Sequence, residues 1–204
     1  MFDLNKKEIS KRLNETLTDQ SEEIYFEIQA LKQYFIEPHM LAAVLIPMLQ
    51  LNSEWHILFT RRNADLPEHS GQVSFPGGRA DPKDTKPEVT ALREAHEEIG
   101  LEPVDVQILG RMHDFLTITN YQVTPIVGVV PWPYQFYPQY KEVSRIFTIP
   151  IKWLANPKNY EKHSRHFSPT GELVSVIYYH PFDGELLWGF TARLTLALID
   201  ILRK

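Results

Sequence analysis

The chain has 204 residues, which is the size of one domain with a modest extension. Apolar residues make up 43% of it and charged residues 23%, a composition that excludes a disordered or fibrous protein. The formal net charge of -5 gives no general attraction to nucleic acid or to an anionic membrane, and the absence of cysteine excludes disulfides and thiolate sites. We therefore expect a globular, cytoplasmic protein whose partners include neither nucleic acid nor a membrane.

The first 37 residues are predicted to form a helical extension. Apolar residues recur loosely on one side of a charged pattern between residues 4 and 36, which indicates two helices. Pro38 ends this pattern, because the residue before a proline is disfavoured in a helix. We therefore divide the chain into an extension, residues 1–37, and a domain, residues 38–204.

Short apolar segments separated by turns follow the extension. Two strands are predicted at residues 41–49 and 55–60, with a turn at Asn52 and Ser53 between them. Residues 61–86 are rich in glycine and proline and are predicted to form a long loop with one short strand. Other strands are predicted at residues 104–112, 122–130, 146–151 and 173–179, and a last helix at 191–202.

Residues 87–100 are predicted to form a helix with clear signals at both ends. Thr85 can serve as the N-cap, with Glu88 completing a capping box. Pro87 suits the first turn, and Gly100 suits the left-handed position after the last turn. Helices and strands in this order predict a mixed α/β fold.

Three glutamates of this helix fall on one face. At roughly 100° per residue, Glu94, Glu97 and Glu98 lie within an arc of about 100°, away from the apolar Ala95 and Ile99. Carboxylates at this spacing repel one another unless water or a cation separates them, and oxygen ligands on a rigid helix suit Mg²⁺ or Mn²⁺. A solvated acidic face explains the same pattern, so the spacing alone leaves both interpretations open.

The residues around these glutamates resemble the Nudix box. That pattern has Gly, five residues, Glu, seven residues, then Arg-Glu-U-x-Glu-Glu-x-Gly-U, where U is apolar. The segment from Arg93 to Leu101 matches every specified position of the second half, with Ala95 as U. In the first half Gly78 matches, but Asp84 stands in place of Glu, and eight residues rather than seven separate it from Arg93. The resemblance implies the Nudix fold, an α/β/α sandwich with a mixed β-sheet, and metal-dependent diphosphate hydrolysis.

The resemblance also implies roles for particular residues. Glu94, Glu97 and Glu98 are expected to bind Mg²⁺ or Mn²⁺ and to be catalytic. Arg93 is expected to hold a glutamate of this face in an ion pair rather than to contact substrate. Glu142 stands near the position where many Nudix enzymes carry a later glutamate that serves as metal ligand or base.

Residues 58–78 are similar to the signature of the coenzyme A pyrophosphatase branch of that family. The signature is Leu-Leu-Thr-x-Arg-Ser/Ala, three residues, Arg, three residues, Gly, three residues, Phe-Pro-Gly-Gly. Phe59 replaces Leu, Asn63 replaces Ser/Ala, and Pro67 stands where the pattern has Arg, which removes a natural partner for phosphate. The matched positions are Thr60, Arg62, Gly71, Phe75, Pro76, Gly77 and Gly78.

Four residues of this segment are candidates for substrate binding. Arg62 is expected to bind a substrate phosphate, and the backbone of Gly77 and Gly78 is expected to approach the ligand closely. His69 is a further candidate contact because histidine titrates near neutral pH, although a lone histidine is more often an ordinary surface residue.

The resemblance implies a metal-dependent hydrolase that cleaves the diphosphate of coenzyme A or acyl-CoA into 3',5'-ADP and (acyl-)4'-phosphopantetheine. Pro67 favours an alternative, a Nudix pyrophosphatase for ADP-ribose or a dinucleotide. A non-catalytic Nudix-like binding domain is a third interpretation, against which the three intact glutamates argue. The expected partner is thus a small nucleoside diphosphate derivative, and the sequence leaves a homodimer open as the assembly.

Overall fold

The computed structural model describes residues 4–18, 40–66, 69–117, 119–166 and 173–204. The second helix predicted for the extension, and Pro67, lie outside these residues. The described helices and strands are α1 (Lys6–Thr18), β1 (Met40–Leu51), β2 (Glu54–Arg62), β3 (Val73–Ser74), β4 (Gly77–Arg79), α2 (Pro87–Ile99), β5 (Gln107–Arg111), β6 (Phe115–Leu116), β7 (Tyr121–Val129), β8 (Val143–Pro150), α3 (Ile151–Leu154), β9 (Tyr160–His166), β10 (Leu173–Tyr179) and α4 (Gly189–Arg203).

Eight of these strands form one mixed sheet. Its main order is β3-β2-β1-β7-β5, while β4 pairs with β1, β6 with β7 and β8 with β2. Strands β1 and β7 run parallel, and the other pairs are antiparallel. Strands β9 and β10 form a separate antiparallel pair. The mixed α/β fold predicted from the sequence is therefore confirmed.

Strand β1 is buried on both faces, which explains its continuous apolar sequence. Successive side chains of a strand point to opposite faces of the sheet. Ile46 and Met48 therefore enter one core, which α1 and α4 cover, while Leu45 and Leu49 enter a second core, which α2 covers. The result is the expected three-layer α/β/α arrangement, and α2 is the helix of the described residues that covers the face with the glutamates.

Helix α1 packs into the first core. Its Ile9 and Leu13 are fully buried, and Leu13 lies over Gly110, where an added Cβ would come within 3.1 Å of the leucine side chain. The guanidinium of Arg12 donates to the carbonyl of Leu202 in α4, near the other end of the chain. The described part of the predicted extension is thus joined to the sheet, and the exact division between extension and domain stays a prediction.

Helix α2 ends as predicted but begins differently. Gly100 follows it in the left-handed conformation, with a φ of 66°. The predicted capping by Thr85 is wrong: the N-cap is Lys86, without a side-chain capping bond. Asp84 contacts the first turn instead: its carboxylate accepts a hydrogen bond from the hydroxyl of Thr90 at 2.9 Å.

Several short or polar elements are absent from the sequence prediction. Strands β4 and β6 and helix α3 are too short to show a periodic pattern, and β9 is exposed and polar along most of its length. The start of the strand predicted at residues 104–112 is a 3₁₀ helix, Pro103–Asp105, and β5 begins only after it. Among the described residues, no helix is long and apolar enough to cross a membrane.

Candidate active site

Helix α2 faces strand β4 with its glutamates, and two glycines allow the close approach. Gly77 and Gly78 pair with Val44 and Ala43 of β1. A Cβ on Gly78 would lie 2.6 Å from the carboxylate of Glu94, and one on Gly77 would lie 2.5 Å from the carbonyl oxygen of Ala43. A larger residue at Gly77 would therefore push β4 away from β1, whereas one at Gly78 would displace the carboxylate of Glu94.

Arg93 forms the centre of a hydrogen-bonded network beside this contact. Its Nη1 donates to Glu94 Oε1 at 2.8 Å and to Glu97 Oε2 at 3.2 Å. Its Nη2 donates to Asp84 Oδ2 at 2.9 Å and to the carbonyl of Arg79 at 3.1 Å. The arginine thus links three carboxylates of the helix and of the preceding loop. The hydrogen bond from Arg93 is the main reason why the pKa of Asp84 is lowered to about 2.

Asp84 takes the place of the glutamate expected in the first half of the Nudix box. Its side chain is 6% exposed and accepts hydrogen bonds from Thr90 Oγ1 and from the amide of Asp81, each at 2.9 Å, besides those from Arg93. The loop is one residue longer than in the family pattern and the side chain is one carbon shorter. The two departures therefore leave the ion pair with the arginine intact.

Glu98 is the buried member of the three glutamates, with 5% exposure. The amide of Gly77 donates to its carboxylate, but Oε2 has no hydrogen-bond partner among the described residues. The pKa of Glu98 is raised to about 8, mainly by burial and in addition by the charge of Glu94, while the charge of Arg62 acts in the opposite direction. A solvated acidic face is therefore the wrong description of this residue, although Glu97 is exposed.

Glu142 lies close to Glu94 and Glu98, although it precedes a different strand. Its charge contributes to the raised pKa of both, behind the larger effect of burial. The segment before it is fixed to the end of α2, because the amide of Gln139 donates to the Glu98 carbonyl at 2.8 Å. The amide of Glu142 in turn donates to the Gln139 carbonyl at 2.8 Å. Three of the predicted catalytic glutamates thus share one site.

Arg62 belongs to the same site, whereas its neighbour Arg61 does not. The charge of Arg62 acts on Glu98, and its Nε is buried without a hydrogen-bond partner in the described part of the chain. Neighbouring side chains of a strand alternate in direction, and Arg61 lies 3.6 Å from Glu185 instead. The sequence-based choice of Arg62 over Arg61 therefore agrees with the position of the glutamates.

His69 is placed in a turn of its own loop. It has a left-handed backbone, with a φ of 55°, and an exposed side chain. Its Nδ1 lies 3.0 Å from Gln72 Oε1. This contact belongs to the loop before β3, so a role for His69 in substrate binding stays a prediction.

The charges of the site fit a divalent cation. Arg93 binds Asp84, Glu94 and Glu97, the charges of Glu142 and Arg62 act on Glu98, and the buried Oε2 of Glu98 has no hydrogen-bond partner among the described residues. Within the described ranges no three acidic or histidine side chains are gathered as a ligand set, and Arg93 is bonded to both Glu94 and Glu97. A cation would thus compete with Arg93 for these two carboxylates.

Asn63 is a residue of this region that the sequence does not single out, except as a departure from the branch signature. Its Nδ2 donates to the carbonyl of Tyr140 at 2.7 Å, and its backbone N–H donates to the carbonyl of Glu142 at 2.8 Å. Its Oδ1 accepts from the amide of Asp65, a local Asx turn that is typical of asparagine. The local turn could be predicted, but the contact with a residue 77 positions away could not.

Comparisons with known proteins agree with this architecture. A family model described as the NUDIX domain matches residues 38–170. An "Uncharacterized Nudix hydrolase NudL" of Yersinia pestis (strain Pestoides F) is 38% identical over 161 residues, which cover 79% of each protein, and a protein of the same name from Yersinia pseudotuberculosis gives the same values. A crystal structure of a MutT/nudix family protein from Enterococcus faecalis superimposes with a TM-score of 0.51 at 14% identity, over 89% of this chain and 72% of that one, and supports the fold alone. Because the family model covers more than half of the chain, the chain belongs to the Nudix hydrolase family.

Proposed function

We propose that the chain hydrolyses the diphosphate of coenzyme A or acyl-CoA with Mg²⁺ or Mn²⁺, giving 3',5'-ADP and (acyl-)4'-phosphopantetheine. The position of Arg62 beside Glu98 and its neighbouring glutamates carries the proposal of diphosphate hydrolysis, and the match of Arg62 to the branch signature supports coenzyme A as the substrate. A guanidinium next to a set of carboxylates suits a diphosphate, whose oxygens can contact the arginine directly and the carboxylates through a cation.

The residues of the site have separable roles in this reaction. Glu94, Glu97 and Glu98 supply oxygen ligands, and a divalent ion bound to them would neutralise the diphosphate and lower the pKa of a bound water. Arg93 holds the helix and the preceding loop in register through Asp84. A glutamate that does not bind the ion, or Glu142, accepts the proton of the attacking water.

Arg62 is the proposed contact for the substrate phosphates. Gly77 and Gly78 bring the β4 backbone against the Glu94 carboxylate and β1, and the approach of a phosphate to this backbone stays a prediction. Arg62 brings a positive charge to a site in which acidic residues predominate. These features favour binding of an extended polyanion over that of a neutral substrate.

Hydrolysis of ADP-ribose or of a dinucleotide is the second candidate. Pro67 replaces the second arginine of the coenzyme A signature. In addition, Arg62 acts on Glu98, so it is close to the position of a diphosphate that all these substrates share. A non-catalytic binding domain is less well supported because Glu94, Glu97 and Glu98 are all present. A cytoplasmic location and a homodimer remain expectations from the sequence.

A substrate comparison tests the proposal. Coenzyme A, acetyl-CoA, ADP-ribose and NADH are each incubated with the protein and Mg²⁺ or Mn²⁺, and the products are separated by chromatography. We expect 3',5'-ADP from coenzyme A, with a kcat/KM at least about tenfold above that for ADP-ribose. The reverse preference would favour the second candidate. Absence of a metal-dependent product from all four compounds would contradict hydrolysis and favour a binding domain.

A further inference from the structure

Glu142 needs support from neighbouring backbone to stay in the carboxylate site. Its side chain is exposed, its charge acts on both Glu94 and Glu98, and like charges repel one another. On one side its segment is fixed to α2 through Gln139. On the other side the β2–β8 pairing extends only to Val143, the residue after Glu142, and is irregular there.

Asn63 supplies the missing contact on this second side. Its backbone N–H donates to the Glu142 carbonyl at 2.8 Å, and its Nδ2 donates to the Tyr140 carbonyl at 2.7 Å. The amide orientation is fixed in turn, because Oδ1 accepts from the Asp65 amide at 3.1 Å. One residue therefore binds the chain at two positions, directly after Arg62 in β2.

We propose that Asn63 is a positioning residue that holds Glu142 against the repulsion of the other glutamates and so completes the cation site. The proposal deepens the proposed function, because it takes Glu142 as a member of the site that binds the divalent ion. It does not depend on which nucleoside diphosphate derivative is hydrolysed. Serine or alanine, the residues of the branch signature at this position, could not reach the Tyr140 carbonyl in the same way, so this chain has its own means of fixing the segment.

Binding of Mn²⁺ tests the positioning role without turnover. Isothermal titration calorimetry of the wild-type protein and of Asn63→Ala measures the dissociation constant for Mn²⁺ alone. We expect the affinity to fall roughly tenfold, because a small displacement of one ligand weakens a site that depends on several. Unchanged affinity in Asn63→Ala would overturn the proposal.

A matched variant separates positioning from a general loss of stability. Asn159 donates its Nδ2 to the carbonyl of Trp153 at 2.8 Å, the same type of bond, and precedes β9 rather than lying near the glutamates. Asn159→Ala should lower the thermal stability by an amount similar to Asn63→Ala, while its Mn²⁺ affinity stays within about twofold of wild type. Equal losses of affinity in the two variants would assign the effect to stability and contradict the proposal.

A double variant tests whether Asn63 acts through Glu142. Glu142→Gln should itself weaken Mn²⁺ binding by roughly tenfold or more, and adding Asn63→Ala should then cause no further loss. Losses that multiply, or an unchanged affinity in Glu142→Gln, would overturn the proposal. If the wild type binds Mn²⁺ and shows this coupling but hydrolyses none of the four test compounds, the proposed function fails while the role of Asn63 stands.

Discussion

Two arginine-centred clusters of this protein differ in their balance of charge. Arg145 donates to Glu185 Oε1 at 2.8 Å and pairs with Asp183, and Arg61 lies 3.6 Å from the same oxygen of Glu185. Two positive and two negative groups thus meet in this cluster, which we call the Arg145 cluster. The second, the Arg93 cluster, joins Arg93 to Asp84, Glu94 and Glu97, with Glu98 and Glu142 nearby.

The difference in charge indicates which cluster is structural and which is functional. In the Arg145 cluster the buried carboxylate of Glu185 has two arginine partners. Its negative charge is therefore balanced within the cluster. In the Arg93 cluster the carboxylates outnumber the arginines, and a buried carboxylate oxygen of Glu98 remains unpartnered within the described residues. Excess negative charge at a buried site is costly unless a cation offsets it. Each of the following changes tests this distinction.

The largest expected effect is on catalysis by Glu98→Gln. Removing the anionic ligand should lower kcat by a factor on the order of a thousand, measured at saturating Mn²⁺, while the protein stays folded. Glu185→Gln, which neutralises the buried acid of the Arg145 cluster, should keep kcat within about threefold. Similar losses of kcat in both variants would show that the two clusters do not differ in function.

The second effect is a loss of stability with rising pH in the absence of metal. The folded protein holds a proton on Glu98 because its pKa is raised to about 8, mainly by burial, whereas the pKa of a glutamate in the unfolded chain is about 4.3. The folded state therefore binds more protons between these values, and the free energy of unfolding should fall by an amount on the order of 3 kcal/mol from pH 5 to pH 8.

Urea denaturation in EDTA measures this dependence, and Glu98→Gln should remove most of it. Asp84 does not contribute in this range: its pKa is lowered to about 2, so its stabilising effect is present above pH ~4 and is lost only as the pH falls further. A stability that rises between pH 5 and pH 8 equally in the wild type and in the variant would contradict the assignment.

A third, smaller effect is expected from Arg145→Ala. The change leaves the buried Glu185 with the more distant Arg61 as its arginine partner among the described residues, so the free energy of unfolding should fall by about 2 kcal/mol. Activity at a temperature where the variant is folded should stay near that of the wild type. A strong loss of kcat without a loss of stability would move the Arg145 cluster into the catalytic site.

The smallest effect is expected from Arg62→Ala. Because Arg62 lies beside Glu98, its removal should raise KM by roughly tenfold for coenzyme A and by a similar factor for ADP-ribose. Arg61→Ala, the neighbouring change in the Arg145 cluster, should leave both KM values within about twofold. An increase confined to coenzyme A would place Arg62 at a part of that ligand which ADP-ribose lacks.

The local part of the site could be predicted from sequence. The spacing of Glu94, Glu97 and Glu98 places them on one side of a helix because helical geometry depends only on positions a few residues apart. The left-handed conformation of Gly100 after the last turn could be predicted for the same reason, because it depends on the end of the same helix. The burial of Glu98 could not be predicted, since it depends on residues outside the helix, among which Gly77 donates to its carboxylate and Arg62 acts on its charge.

The same limit applies to the fold. Strand β1 was predictable because burial on both faces leaves a continuous apolar run, and the last helix because its apolar residues recur regularly. Strand β9 has mostly exposed, polar residues and exists as a strand only through its pairing with β10. The position of Asn63 against Tyr140 likewise depends on a contact between distant segments.

The packing of α1 against the last helix has a consequence for folding during synthesis. Arg12 and Leu202, which join the two helices, are 190 positions apart in the chain. The ribosome therefore releases Ile9 and Leu13 long before the helix that shares their core exists. Strand β5 can cover Leu13 before then, through Gly110, but the core around these two residues is completed only after α4 has emerged.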